Sequence, residues 1–548
     1  MKKITSFILA FALLLCALPF VSACAQGTTY YLDSENGSDS NDGLSQGTAW
    51  KTLTKASGVT YGAGDKLLLK AGGIFSGSFE THGSGTEESP VTVSSYGDTA
   101  SLGNPLIRSD ENVILMYVLN VSHWDISNID FTAPEGRGLY VLASMDSIVK
   151  DISITNCHFS EIYNRECPYC DHLPISIASS GVSSRVDGVT VRDCSIENCA
   201  FGIAMHGLTY EWAPNDYVSP EVSYNRNFVI DSVSLRNIHN DGIIIGSVYG
   251  LHICNCSLID TSTSEDHYTA PMWSHHASNY LIENCEIAGS TNINDGMAVD
   301  FDGWTTDATY QYIYSHDNAR FIRNCCYDNY TKNDNCTVRY CLSVNDNMGD
   351  NELAQMLSSS SVNYAEDEHA EVMTGFKFYN NTIVNASSFK LCGLKDAVIA
   401  NNIFTGSLST SFLVMRKSIG DDDQPVIRDF TGTITNNCFS GTAVPFNAKK
   451  SILGNPGFAG TDYDDMNSFK LSQSSKLIGK GIQVEDDMGE TDLFGNPLTG
   501  THNIGCYEGG GEQSGGAGFL DDVWAFISSV LGLIYNFIDN CNNRYWIF

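Results

Sequence analysis

Between residues 150 and 440 the chain repeats a short pattern: an apolar residue, Asn or Asp two positions on, Cys or Asn three on, and a second apolar residue five on. Ile154, Asn156, Cys157 and Phe159 set it; Val191, Asp193, Cys194 and Ile196 follow, then Ile253, Asn255, Cys256 and Leu258, then Ile282, Asn284, Cys285 and Ile287. Further copies run through Asn380-Asn381, Asn401-Asn402 and Asn436-Asn437, with Asn in place of Cys. Cys256 and Cys285 stand 29 residues apart, Asn381 and Asn402 stand 21 apart, and other spacings are about twice that. Short alternating segments at such a period predict an all-β solenoid of stacked coils. Asn or Asp suits the second position because these residues tolerate the left-handed backbone of a tight turn. The next residue then points inward, and its copies stack from coil to coil.

That stacking changes what the 18 cysteines mean. Cys157, Cys194, Cys256, Cys285 and Cys341 share one repeat position with Asn381, Asn402 and Asn437, so they read as small buried side chains and not as a disulfide framework. Cys167, Cys170 and His172 fall in an insertion and are open to reading as a loop staple, free thiols or part of a metal site.

Both ends depart from the pattern. Lys2-Lys3, an apolar run from Phe7 to Val21 and small residues up to Ala25 form a secretory signal over 1–25. Cleavage before Gln26 is one reading and lipidation of Cys24 is another, so the protein is expected to be secreted or at the cell surface. A Gly-rich linker over 509–518 leads to 519–548, where Val523 to Ile538 carries no charge. At sixteen residues that run is short for a membrane span, and it reads as an interfacial, partner-binding or capping helix. The formal charge of −34 and the lack of any basic stripe exclude nucleic acid as a partner. No P-loop, dinucleotide fingerprint or H-E-x-x-H is present.

Tyr30 to Gly43, Ala49 to Leu53 and Gly64 to Gly73, with the closing stretches around Asn455-Pro456, Asp492 to Asn496 and Ile504 to Glu508, resemble secreted right-handed parallel β-helix proteins of the pectate-lyase-like superfamily. The resemblance covers roughly 28–508 and implies a single right-handed parallel β-helix domain over 26–508 with loop insertions, expected to be monomeric. Many members cleave polysaccharides by hydrolysis or β-elimination, while others are surface proteins, and the fold does not choose between them.

The site is therefore read from residues. Gly202, Gly242 and Gly296 each open a strand, and aligning them places His206 and Gly246 in register with Asp300. Strand alternation puts Met297, Val299 and Phe301 inside and Asp300 and Asp302 outside, about 6–7 Å apart. This predicts an open sugar groove with a paired carboxylate. A glycoside hydrolase is the first reading, with Asp300 and Asp302 as acid and base, His206 or His275 beside them, Trp273 stacking on a sugar, and no cofactor. The adjacent Asp-Asp, Gly-His-Gly and Arg-Ile-Lys of polygalacturonase-like hydrolases are missing.

A Ca²⁺-dependent polysaccharide lyase is the second reading: Asp295, Glu265 and Asp266 would hold the ion, while Arg320, Arg323, His275 or His316 would act as base or carboxylate clamp. His316 and Asp317 can equally be read as ordering the turn before the next strand. A non-catalytic glycan-binding or surface protein is the third. The polysaccharide partner is common to all three.

Overall fold

The computed structural model describes residues 27–512, apart from 164–171, 182, 208–223, 266, 327–332, 348–358, 362–372, 387–388, 392, 408–411, 414 and 420–424. The expected leader over 1–25 with Cys24, the Cys167/Cys170 pair, Asp266 and the 519–548 tail lie outside the described residues, as does most of the expected 509–518 linker.

Described strands join into one sheet of 22 and one of 14, and every strand pairing within the two large sheets is parallel. Each coil feeds both sheets. Ile243–Cys254 and Met272–Glu283 run through the larger sheet, and Ser257–Thr261 and Glu286–Ala288 follow them in the smaller. The long strands turn a corner at left-handed residues, Ser247 and Gly250 in one and His276 and Asn279 in the other. All seven turn residues that the repeat singles out, Asn156, Asp193, Asn255, Asn284, Asn380, Asn401 and Asn436, have φ between 50° and 56°.

Behind those turns the inward column forms as expected. Cys157, Cys194, Cys256, Cys285 and Cys341 are buried free thiols, each with its Sγ directed at the carbonyl two residues earlier. Farther on the column becomes an amide ladder, in which Asn381 Nδ2 donates to Asn402 Oδ1 at 3.1 Å and Asn402 Nδ2 to Asn437 Oδ1 at 3.0 Å. Leu, Ile, Val and Phe fill the remaining interior, with Phe131 stacked on Phe159 at 4.8 Å. Each such side chain taken fully out of water contributes about 1.5–3 kcal/mol.

The closing region differs from the expected coils. Among the described residues 455–512 hold only a short 3₁₀ turn at Met466–Phe469 and isolated bridges. This segment folds back along the solenoid flank, where Tyr312 Oη donates to the Thr491 carbonyl at 2.7 Å and Asn380 Nδ2 to the Asn503 carbonyl at 3.1 Å.

Candidate active site

The strand Met297–Phe301 pairs with Met272–Glu283 on one side and Arg320–Cys326 on the other. Asp300 stands between Trp273 and Arg323 in this register, and Asp302 comes one step past the Ser274–Phe301 pair, beside His275. From inside the solenoid Tyr310 Oη donates to the Asp300 carbonyl at 3.3 Å, and Tyr280 shares a 2.8 Å hydrogen bond with Ser274 Oγ, so both strands are fixed from behind.

The outward rows are not an open groove. Ser176, Ala178, Ala204, Ile244, His275 and Asp300 all point away from the interior, yet each is buried. Asp300 is only 4% exposed, and its Oδ1 has no hydrogen-bond partner among the described residues. Asp302, Trp273 and His206 remain partly exposed. Asp295, in the loop before the strand, is partly exposed as well, while Asp241 is buried.

Three aspartates surround Arg323. Its Nη1 lies 2.5 Å from Asp295 Oδ1, and its charge acts on Asp295, Asp300 and Asp302 together. Burial, reinforced by the charge of Asp302, pushes Asp300 well above the carboxylate range. Burial also raises Asp302, to about 6, against the pull of Arg323. Asp295 is raised by burial too, opposed by Arg323 and Arg320. The cluster can thus hold protons near neutrality while keeping one ion-paired carboxylate, a division of roles that acid–base chemistry needs.

The other expected residues separate. His206 comes into register with His275 and Asp302 through Gly246, not with Asp300, because Gly296 belongs to the preceding loop and the strand starts two residues later than the glycine alignment placed it. His275 is buried over Gly246, where a Cβ would meet its Nε2 at 2.5 Å. Burial, with His276 and His206 nearby, pushes its imidazole down to about 3, so it is neutral and has no proton to give as an acid at ordinary pH.

Arg320 does not project into the site: its guanidinium donates to the carbonyls of Ile293, Asn294 and Asp295. His316 lies on the smaller sheet, stacked on Tyr314 and bonded to Asp317 and Glu286, so the turn-ordering reading of this residue is the one that holds. Glu265 is exposed, and among the described residues no three His, Cys, Asp or Glu side chains group as a metal site would. A shallow cavity of about 510 Å³ lies beyond the corner, lined by Val229, His252, Leu281 and Thr309, and the aspartates do not border it.

No protein-family model matches the chain. Over 88% of its length the chain is 22% identical to the lacto-N-biosidase of Bifidobacterium longum subsp. longum, and it spans about a third (36%) of that relative. The native GH136 lacto-N-biosidase from Eubacterium ramulus matches with a TM-score of 0.50 and 17% identity over 78% of this chain and 68% of that one. XylC in complex with xylose matches with a TM-score of 0.51 and 11% identity over 89% and 99%. The chain is a right-handed parallel β-helix.

One residue of the β-helix site escaped the sequence reading. Asp241 Oδ1 accepts from both Trp273 Nε1 and the Ala270 amide, each at 2.9 Å, and so fixes the indole beside Asp300. Burial, with the charge of Asp295 adding to it, raises Asp241 to about 7. Its sequence context, Asp-Gly before a strand, reads as a turn; the only signal was that the next coil brings Trp273 alongside.

Proposed function

We propose that the β-helix is a glycoside hydrolase in which Asp302 is the general acid and Asp295 the second carboxylate. The supporting observation is the cluster itself: one guanidinium among three carboxylates whose surroundings differ. Asp302 is partly exposed and poised near pH 6, so it can reach a glycosidic oxygen and still carry a proton. Asp295 is held by Arg323, which favours its ionised form. Asp300, the partner expected from the sequence, is too deeply buried to touch a sugar.

In this reading the proton of Asp302 passes to the leaving oxygen as the bond from that oxygen to the anomeric carbon breaks. The Asp295 carboxylate faces the positive charge that develops on the sugar, and water adds its hydroxyl to the anomeric carbon while its proton passes to the carboxylates and restores Asp302. Trp273, locked by Asp241, offers a face for a pyranose ring. The formal charge of −34 favours a neutral glycan, and the likeness to lacto-N-biosidases makes lacto-N-biosides the first class to try.

Calcium does not fit the residues present. The cationic place beside Asp295 is taken by Arg323, Glu265 is exposed, and Asp266 lies outside the described residues. No step is routed through the ion.

The test is product analysis on a panel of neutral and acidic glycans. Reducing sugar without an unsaturated, ultraviolet-absorbing product supports hydrolysis. An unsaturated product that disappears with chelator would overturn it in favour of elimination.

A further inference from the structure

The open edge of the site carries two apolar side chains that packing does not explain. Tyr268 is 77% exposed, more than any other aromatic residue among the described residues, and Ile293 is 48% exposed. Single exposed apolar side chains are common, but two on neighbouring loops beside a candidate site point to an interaction surface.

Their mounting is unusually firm. Asn292 Nδ2 donates to the His267 carbonyl at 2.5 Å and to Thr269 Oγ1 at 2.8 Å, and Asn294 Nδ2 reaches the Glu265 carbonyl at 3.2 Å. The Gly296 amide donates to the Thr269 carbonyl at 2.9 Å, while Arg320 grips the 293–295 carbonyls from below. The two loops are therefore stitched into one rim. That rim runs directly into the site, because Asp295 follows Ile293 by two residues and Ala270, two residues after Tyr268, donates to Asp241.

Direction follows from burial. Asp300, His275, Ile244 and Ala204 on the outward rows are closed to solvent, whereas Tyr268, Ile293, Asn294 and Asp295 on the loop rim before the strands are exposed or partly exposed. A sugar whose anomeric carbon reaches Asp302 is enclosed on the row side, and the rest of the glycan must leave over the edge.

We infer that Tyr268 and Ile293 form a platform for the leaving-group sugar of an oligosaccharide, stacking on the apolar face of its pyranose ring. Nothing in the sequence marks it, since an isolated Tyr in a loop has no pattern to belong to. The inference rests on the hydrolase reading, with Asp302 and Asp295 beside the scissile bond.

The experiment compares two substrates with the same donor, an aryl lacto-N-bioside and a tetrasaccharide ending in lacto-N-biose, on the full chain. Tyr268→Ala and Ile293→Ala should lower kcat/KM for the tetrasaccharide about tenfold more than for the aryl glycoside, mainly through KM, and Tyr268→Trp should restore the ratio. Tyr463→Ala, an exposed tyrosine remote from the site at 45% exposure, is the control and should leave the ratio unchanged. Equal losses on both substrates, or none, would overturn the platform.

If the wild-type chain cleaves neither substrate nor any glycan of the panel, the hydrolase reading fails separately. Binding of the full chain to a glycan array then decides the rim. Loss of array binding on Tyr268→Ala retains it as a glycan contact, and unchanged binding or no binding at all overturns it.

Discussion

Arg323 Nη1 and Asp295 Oδ1 stand 2.5 Å apart, and this pair is the electrostatic hinge of the site. Replacing Arg323 with Gln removes a cation that acts on all three aspartates. Asp302 and Asp295 should both rise further, and the catalytic field should collapse. The expected loss in kcat is about 10²–10³-fold, comparable to removing one preorganised charge partner, measured on whichever glycan the wild type cleaves.

The three aspartates should respond differently to amide substitution. Asp302→Asn and Asp295→Asn should each lower kcat by about 10²–10⁴-fold, the usual contribution of a positioned acid or base. Asp300→Asn should cost less than tenfold, or about 1.4 kcal/mol, because burial keeps Asp300 protonated and an amide is close to it in shape. A collapse on Asp300→Asn, with Asp295→Asn nearly silent, would return the role to the pair expected from the sequence.

The pH profile carries a sign. Asp302 must be protonated to act as acid, so activity should fall as pH rises through about 6. Asp295 must be ionised, so activity should also fall on the acidic side, giving a bell whose limbs belong to the coupled cluster and not to single residues. Asp302→Asn should abolish the alkaline limb of the residual activity. Arg323→Gln should move that limb to higher pH, since the guanidinium now lowers Asp302.

A second buried carboxylate affects stability and not chemistry. Asp346 accepts hydrogen bonds from Ser315, Ser343 and Asn318, yet burial outweighs them and raises it to about 6. A raised carboxylate binds its proton more tightly when folded. Its contribution is therefore present at low pH and lost as pH climbs from about 4 to about 6, amounting to about 3 kcal/mol. Chemical denaturation at pH 4 and pH 7 should show a smaller difference for Asp346→Asn than for the wild type once other groups cancel in the comparison.

The solenoid was legible because its signals are local. A left-handed turn needs Asn or Asp, and the residue behind it needs to be small or amide-bearing, so the turn positions and the inward column could be read directly. The register of the site strand was misplaced because glycine serves two ends. At Gly202 and Gly242 a Cβ would strike the carbonyl of the following coil, whereas at Gly296 it would strike the Asn292 carbonyl within the loop before the strand. Sequence cannot distinguish a close approach between coils from one within a loop. Arg320 and His316 were misread for a related reason: a cation or imidazole near an acidic strand looks like a ligand group until the carbonyls or the second sheet that occupy it are seen. The outward face was expected to be open because alternation tells which way a side chain points, not what lies above it.

The inward column changes from thiols to amides between Cys341 and Asn381, and this sets where the molecule can gain or lose a coil. A new turn inserted between Asn381 and Asn402 would have to bring its own asparagine, or the Asn381 backbone N–H and the Asn402 Oδ1, now bonded to each other, would lose their partner at a cost of about 1–3 kcal/mol each. Among the thiols each side chain is satisfied by its own strand's carbonyl, so an added coil needs only a small residue there. The aspartates sit on the tolerant side of that boundary, where coils can be traded and the reach of the site altered while the amide-laddered end keeps the solenoid in register.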